Sequence, residues 1–153
     1  TSFMALEIET KIRINASPKQ VWDVLIDFER YPEWNPFIKS RKGIAIKGEK
    51  LFVNIAPSDQ SPMSFKAKLL RVNINKELCW IGRFLVPGLF DGEHKFKIIN
   101  NKNGTVTFIQ SELFKGLLVP VFRNKLTQDT KNGFVLMNIK LKERAENGLY
   151  VDS

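Results

Sequence analysis

The stretch DGEHKFKIINNKNGTVTFIQSE, residues 91–112, decides the fold because it predicts a β-hairpin whose register can be worked out from its loop. Two segments of alternating polarity flank three turn-forming residues, Lys102, Asn103 and Gly104. We expect Gly104 to adopt the left-handed backbone conformation of a bulged three-residue loop. Asn101 should then pair with Thr105, and this pairing fixes the partner of every residue further along the two strands.

This register places the only histidine of the chain opposite a carboxylate. His94 falls opposite Glu112, and Phe96 falls opposite Gln110, with Ile98 marking this set of positions as the apolar face. The lysines at positions 95 and 97 then point to the other face. A slip of one residue would separate the histidine from the glutamate.

Three interpretations of the His94 and Glu112 pair remain open from the sequence. A buried carboxylate needs a partner, so the two residues could satisfy each other and stabilise the hairpin. They could instead bind the polar end of a ligand, or transfer a proton as an acid–base pair.

Further strands surround the hairpin. LEIETKIRIN, residues 6–15, alternates between apolar and charged residues, as expected of a half-buried strand. Short alternating segments separated by turn residues then predict an antiparallel meander of six strands. These segments are residues 38–48, 50–56, 63–72, 77–84, 89–100 and 104–116.

Helices are predicted at two places. Ser17, Pro18 and Gln20 form a capping box that opens a short helix, and prolines at 32 and 36 leave room only for a second short one. After Gly116 the apolar period lengthens to three and four residues until Gly148, which predicts one long amphipathic helix. The fold class is therefore α+β, with the long helix covering one face of a curved antiparallel sheet.

One helix can leave part of a curved sheet uncovered, so we expect an internal cavity of a few hundred cubic ångströms. Thr130 and Gly133 fall on the inward stripe of the long helix, where small residues would either form a cavity roof or allow close packing. The candidate cavity residues are Phe65, Leu69, Trp80, His94, Phe96, Phe108, Gln110, Glu112, Phe122, Leu126, Thr130 and Phe134.

The composition limits the function classes. We expect a single domain over residues 1–153, with a net charge of +8. The basic residues are scattered, which favours a solvated face over a nucleic-acid site, although an anionic membrane remains a possible partner. No phosphate-binding loop, HExxH or other metal-ligand spacing occurs, so neither a metal nor another cofactor is expected. Cys79 is the only cysteine and is expected to be a buried, inert thiol.

The chain resembles the START-like or SRPBCC superfamily, in its polyketide cyclase/dehydrase-like branch. Four segments carry the resemblance, which extends over essentially the whole chain. They are SPKQVWDVLIDFERYPEWNPFI, CWIGRFLVPGLFDGEHKF, QSELFKGLLVPVF and GFVLMNIKLKERAE. The resemblance implies the helix-grip fold, in which a seven-stranded antiparallel sheet surrounds a long carboxyl-terminal helix and a hydrophobic cavity lies between them.

Members of this superfamily bind or move lipids, sterols and polyketide-like molecules, and some catalyse cyclisation or dehydration. We therefore expect a cytoplasmic protein that binds or carries a small hydrophobic molecule, with no obligate protein partner. The alternative is a cyclase or dehydratase in which His94 transfers a proton and Glu112 orients it. A basic surface that contacts anionic membranes during ligand uptake is a further expectation.

Overall fold

The computed structural model describes residues 4–55, 63–84 and 87–148. In these ranges a strand, two short helices, six strands and a long helix follow one another, as the sequence predicts. A 3-10 turn at Phe28–Arg30 connects the two short helices. The elements are β1 Ala5–Ile14, α1 Pro18–Ile26, α2 Tyr31–Trp34, β2 Ile38–Lys42, β3 Lys50–Ile55, β4 Met63–Asn73, β5 Glu77–Phe84, β6 Phe90–Asn100, β7 Val106–Lys115 and α3 Val119–Asn147.

The seven strands form one antiparallel sheet in the order β1-β7-β6-β5-β4-β3-β2. Strands β2 to β7 pair with their neighbours in sequence, and β1 joins the end of this meander by pairing with β7. The long helix α3 packs across the inner face of this curved sheet and also contacts β1 and α1. This arrangement is the helix-grip fold, and the prediction of the fold class is confirmed.

The hairpin of β6 and β7 has the predicted register. His94 pairs with Glu112 and Phe96 pairs with Gln110. In the loop, the Asn101 amide donates a hydrogen bond to the Thr105 carbonyl at 3.0 Å, and Gly104 has a φ of +87°. The predicted Asn101–Thr105 pair and the positive φ of Gly104 are therefore confirmed, and Lys102 also has a positive φ, of 63°.

Hydrogen bonds of polar side chains help to fix the path of the chain at both ends of the segment that contains the two short helices. Ser17 Oγ accepts a hydrogen bond from the Gln20 amide at 3.1 Å, and Gln20 Oε1 accepts one from the Ser17 amide at 2.8 Å, which confirms the predicted capping box. After α2, Asn35 Oδ1 accepts hydrogen bonds from the amides of Phe37 at 2.9 Å and Ile38 at 2.8 Å. Asn35 thereby turns the chain into β2 and directs Phe37 and Ile38 towards the interior.

The predicted strand over residues 38–48 is too long. Strand β2 ends at Lys42 because Gly43 has a φ of +146°, a conformation that interrupts the ladder. The next residues form turns in which the Gly48 amide donates to the Leu69 carbonyl at 2.8 Å. Ile44 and Ile46, whose alternation suggested a strand, are 63% and 55% exposed.

The long helix ends where the sequence predicts, since Gly148 has a φ of +61° and its amide donates to the Arg144 carbonyl. Its inward stripe differs from the prediction at the amino-terminal end. Phe122 is 45% exposed and Leu126 is half-buried, because this part of α3 stands away from the sheet. Further along, Asn138 is only 2% exposed, although asparagine side chains are mostly found at exposed positions.

Cys79 lies buried between charged side chains on the face of the sheet opposite α3. Its Sγ lies 3.6 Å from Glu93 Oε2, and Arg71 pairs with Glu77 at 2.9 Å and with Glu93 at 3.5 Å. Burial raises the pKa of the Cys79 thiol to about 12. The thiol therefore stays protonated near neutral pH, which agrees with the predicted inert role.

Candidate functional site

A cavity of about 380 Å³ opens between the amino-terminal half of α3, the inner face of the sheet and the connection from α2 to β2. This volume lies in the range of about 300–1,000 Å³ that is usual for small-molecule sites. Most of its wall is apolar. The residues that line it are Phe37, Ile38, Ile55, Met63, Phe65, Trp80, Phe90, His94, Glu112, Phe114, Phe122, Lys125, Leu126, Asp129 and Thr130.

The structure brings together only part of the predicted cavity set. The predicted residues found in this lining are Phe65, Trp80, His94, Glu112, Phe122, Leu126 and Thr130. The other five lie in the packed core and have no exposed surface: Leu69, Phe96, Phe108, Gln110 and Phe134. They share the inner face of the fold with the cavity, but α3 packs tightly against the sheet at their end.

The cavity also contains residues that the sequence reasoning missed. Phe90 and Phe114 lie on the same strands and face as His94 and Glu112, so the two-residue period of a strand could have indicated them. Phe37 and Ile38 carried no such signal. The remaining lining residues outside the prediction are Ile55, Met63, Lys125 and Asp129.

The two small residues of α3 have different roles. Thr130 lines the cavity, so it forms part of the predicted roof. Gly133 instead allows close packing, because a Cβ there would lie 2.4 Å from the ring of Phe37. The Phe37 ring in turn meets Phe134 edge to face, with ring centroids 5.9 Å apart.

The His94 and Glu112 pair forms the polar part of the cavity wall on the sheet side, whereas Lys125, Asp129 and Thr130 are the polar lining residues on α3. His94 Nδ1 lies 3.5 Å from Glu112 Oε1, and the side chains are 5% and 14% exposed. Burial raises the pKa of the Glu112 carboxyl to about 8 from its ordinary value of 4.5, because the charged form loses its hydration. Glu112 therefore holds a proton near neutral pH and can act as a hydrogen-bond donor.

Aromatic rings surround the imidazole on the sides away from Glu112. The ring centroids of Trp80, Phe96 and Phe134 lie 4.6, 4.5 and 4.8 Å from that of His94. These rings shield the imidazole from water on those sides and lower the local polarity. Electrostatic interactions at this wall are consequently stronger than at the protein surface.

Gly92 makes room for the Glu112 carboxyl group. A Cβ at position 92 would lie 2.4 Å from Glu112 Oε2 and 3.4 Å from the Phe114 ring. Gly92 stands one inward position before His94 on β6, so it borders the pair directly. Any side chain at this position would displace the carboxyl group from its contact with His94.

A chain of buried hydrogen bonds runs from His94 away from the cavity. His94 Nε2 lies 2.8 Å from Gln110 Oε1, and Gln110 Nε2 lies 2.8 Å from Asn138 Oδ1. Asn138 Nδ2 lies 2.8 Å from Thr10 Oγ1, which lies 3.3 Å from the Gln110 carbonyl oxygen. Gln110, predicted as a cavity residue, thus supports His94 from behind.

Charged residues of α3 stand near the cavity opening. Lys125 Nζ lies 3.4 Å from Asp129 Oδ2, and the Lys125 side chain is 58% exposed.

In the described ranges no group of three or more His, Cys, Asp or Glu residues could hold a metal ion. Nor is any helix there long and apolar enough to cross a bilayer.

Comparisons with known proteins agree with this geometry. A family model described as polyketide cyclase / dehydrase and lipid transport matches residues 5–136. No curated protein matches the chain. Among solved structures, the aromatase/cyclase Zhui from Streptomyces sp. R1128 is similar, with a TM-score of 0.77 at 12% identity over 94% of each chain.

Two further structures have the same fold. The di-domain ARO/CYC BexL from the BE-7585A biosynthetic pathway has a TM-score of 0.78 at 12% identity over 95% of this chain, which spans about half, 52%, of that protein. Norcoclaurine synthase from Thalictrum flavum, in complex with dopamine and hydroxybenzaldehyde, has a TM-score of 0.70 at 12% identity over 97% of this chain and 89% of its own. At these identities the likeness concerns the fold, whereas the family model matches the sequence itself. The chain belongs to the polyketide cyclase / dehydrase and lipid transport family.

Proposed function

We propose that the protein binds and carries a small hydrophobic molecule in this cavity, with His94 and Glu112 orienting the polar end of the ligand. The observation that carries the proposal is an apolar cavity of about 380 Å³ with one buried polar pair in its wall. Apolar walls supply affinity roughly in proportion to the area they remove from water. A few fixed polar groups then select the orientation.

The first test is native mass spectrometry of the protein purified from its own host, followed by denaturing extraction of any bound molecule. A stoichiometric hydrophobic adduct is expected. A matched pair of α3 variants shows whether the adduct occupies this cavity. Thr130→Phe places a ring in the cavity lining, whereas Thr127→Phe makes the same change at an exposed position one turn earlier.

We expect Thr130→Phe to remove the adduct and Thr127→Phe to retain it, with the helical circular dichroism unchanged in both. An empty protein that also ignores a panel of lipids and polyketides would contradict the proposal. Retention of the ligand by both variants would mean that it binds elsewhere on the protein.

A cyclase or dehydratase activity is the second candidate, and the raised pKa of Glu112 favours it. Below about pH 8 the Glu112 carboxyl can donate a proton while a neutral His94 can accept one. In a dehydration, the base removes a proton next to a ketone and the acid protonates the departing hydroxyl group, which leaves as water. In a cyclisation, removal of the proton next to the ketone gives an enolate. The enolate carbon attacks a second carbonyl, and the acid protonates the new alkoxide.

Turnover and binding separate these two functions. Incubation with poly-β-ketone substrates and analysis by mass spectrometry would show loss of 18 mass units on dehydration if the protein is an enzyme. His94→Gln and Glu112→Gln should then abolish turnover while binding persists. A carrier instead returns the ligand unchanged, and the same variants weaken its binding by about 1–3 kcal/mol.

A further inference from the structure

The hydrogen-bond chain behind His94 consists of Gln110, Asn138 and Thr10, none of which lines the cavity. Gln110 has no exposed surface, Asn138 is 2% exposed and Thr10 is 9% exposed. Three different elements, β7, α3 and β1, supply these residues. Since these residues do not line the cavity, they do not contact a ligand there, and the hydrogen bond between Gln110 and the imidazole links them to the cavity wall.

The direction of the chain follows from its last member. The Gln110 carbonyl oxygen can only accept, so the Thr10 hydroxyl donates to it and Thr10 Oγ1 accepts from Asn138 Nδ2. Asn138 Oδ1 is then left to accept from Gln110 Nε2. Gln110 Oε1 therefore accepts from His94 Nε2, which must carry a proton.

This assignment determines what the pair presents to the cavity. In a neutral imidazole with the proton on Nε2, Nδ1 carries a lone pair that faces Glu112 Oε1 at 3.5 Å. A lone pair and an ionised carboxylate would repel each other, so the contact requires one proton. With that proton on Glu112, neither member of the pair carries a charge.

Within residues 4–55, 63–84 and 87–148, the neighbours of the pair add no unpaired charge to this balance. On β1, Ile8 pairs with Glu112, and on β6, Gly92 leaves only space beside the carboxyl group. Phe37 and the first residue of β2, Ile38, are the apolar lining residues that follow α2. On α3, Lys125 and Asp129 line the cavity and pair with each other. A ligand carboxylate placed against Glu112 would therefore lack a compensating cation.

We propose that Gln110, Asn138 and Thr10 are positioning residues that hold His94 with its proton on Nε2, so that the His94–Glu112 pair favours uncharged oxygen groups of a ligand over carboxylates. This inference rests on the proposed binding function and adds selectivity to it. A hydroxyl or ketone oxygen of the ligand can accept a hydrogen bond from the protonated Glu112 carboxyl group without burying a charge.

The tautomer of His94 can be measured directly because the chain contains only one histidine. In protein labelled with ¹⁵N-histidine, the two ring nitrogens give one unambiguous pair of signals. We expect the form with a proton on Nε2 to exceed the Nδ1–H form by about tenfold or more. Predominance of the Nδ1–H form, in the ligand-free wild type, would overturn the inference without reference to any ligand.

Variants of the chain supply the matched comparison. Gln110→Met keeps a similar volume but removes the acceptor for Nε2–H, so we expect the proton to move to Nδ1, where Glu112 accepts it. Thr10→Ser retains the hydroxyl group and should leave the ¹⁵N signals unchanged. A merely structural role for Gln110 would lower the melting temperature without moving the proton between the two nitrogens.

Ligand selectivity is tested with three probes of one shape: naphthalene, 2-naphthol and 2-naphthoate at pH 7. We expect 2-naphthol to bind about tenfold or more tightly than 2-naphthoate, and Gln110→Met to reduce this ratio. Equal binding of 2-naphthol and 2-naphthoate would overturn the selectivity while the proposed carrier function stands. Failure of all three probes, naphthalene included, would contradict hydrophobic binding itself and the selectivity with it.

Discussion

The Glu112→Gln substitution should make the protein more stable above about pH 5, and increasingly so as the pH rises. Burial raises the pKa of Glu112 to about 8 in the folded protein, compared with 4.5 as its ordinary value. The folded protein therefore keeps a proton that the unfolded chain has already released. Stability from this group is fully present below the unfolded pKa and is lost as the pH rises towards the folded one.

The size of the effect follows from this proton. A difference of one bound proton changes the free energy of unfolding by about 1.4 kcal/mol per pH unit. Glutamine at position 112 cannot ionise, so this decrease in the free energy of unfolding does not occur in the variant. Between about pH 5.5 and pH 7.5 the variant should gain roughly 2.7 kcal/mol relative to the wild type, and the gain should level off above about pH 8.

Urea unfolding of both proteins at half-unit steps from pH 5 to pH 9 measures this difference. Subtraction of the two curves removes the titration of groups that behave alike in both proteins. Glu9→Gln provides the baseline, because Glu9 is exposed on β1. Parallel curves for the wild type and Glu112→Gln would refute the reasoning, since the carboxyl group would then ionise in the folded protein as readily as in the unfolded chain.

Three further outcomes are expected. Gly92→Ala should displace the Glu112 carboxyl group, because the added Cβ would lie 2.4 Å from Oε2. The substitution should therefore weaken ligand binding about tenfold, and unchanged binding together with unchanged ¹⁵N signals of the histidine would contradict this prediction. Cys79, with its pKa raised to about 12, should resist iodoacetamide at pH 8 until urea unfolds the protein, so rapid labelling of the folded protein would be inconsistent with its burial. Binding to anionic vesicles should be salt-sensitive, because the net charge is +8 and Leu117 and Val121, beside the cavity-lining start of α3, are 63% and 71% exposed. Replacement of both residues by serine should reduce this binding, and salt-independent binding would exclude this surface.

Local rules explain why the sequence predicts the hairpin and the helix ends. The register of β6 and β7 depends on three adjacent residues, and Gly104 adopts the conformation that the loop needs. The capping box at Ser17 and the left-handed Gly148 are equally local. Such features act over a few residues, so the sequence alone contains the information to predict them.

The extent of the cavity depends on where α3 separates from the sheet, which no local pattern determines. Alternation places Phe108 and Trp80 on the same inner face, but only Trp80 reaches the cavity. Asn138 illustrates a different limit. A polar residue among apolar ones on α3 indicates burial only once its partners Gln110 and Thr10 are known, and these lie 28 and 128 residues away in the chain.

The choice between a structural and a functional role for the His94–Glu112 pair now depends on its energetics. A purely structural pair should stabilise the fold, so replacing its carboxyl group should cost stability. Burial instead makes Glu112 a destabilising group at neutral pH, because the folded protein must retain a proton that bulk water would remove. The buried chain already satisfies His94 at Nε2, so the imidazole needs no carboxyl group on that side to remain in the core. A carboxyl group that weakens the fold yet stands at the cavity wall, in space left by Gly92, supports the proposed contact of Glu112 with a ligand over a purely structural role.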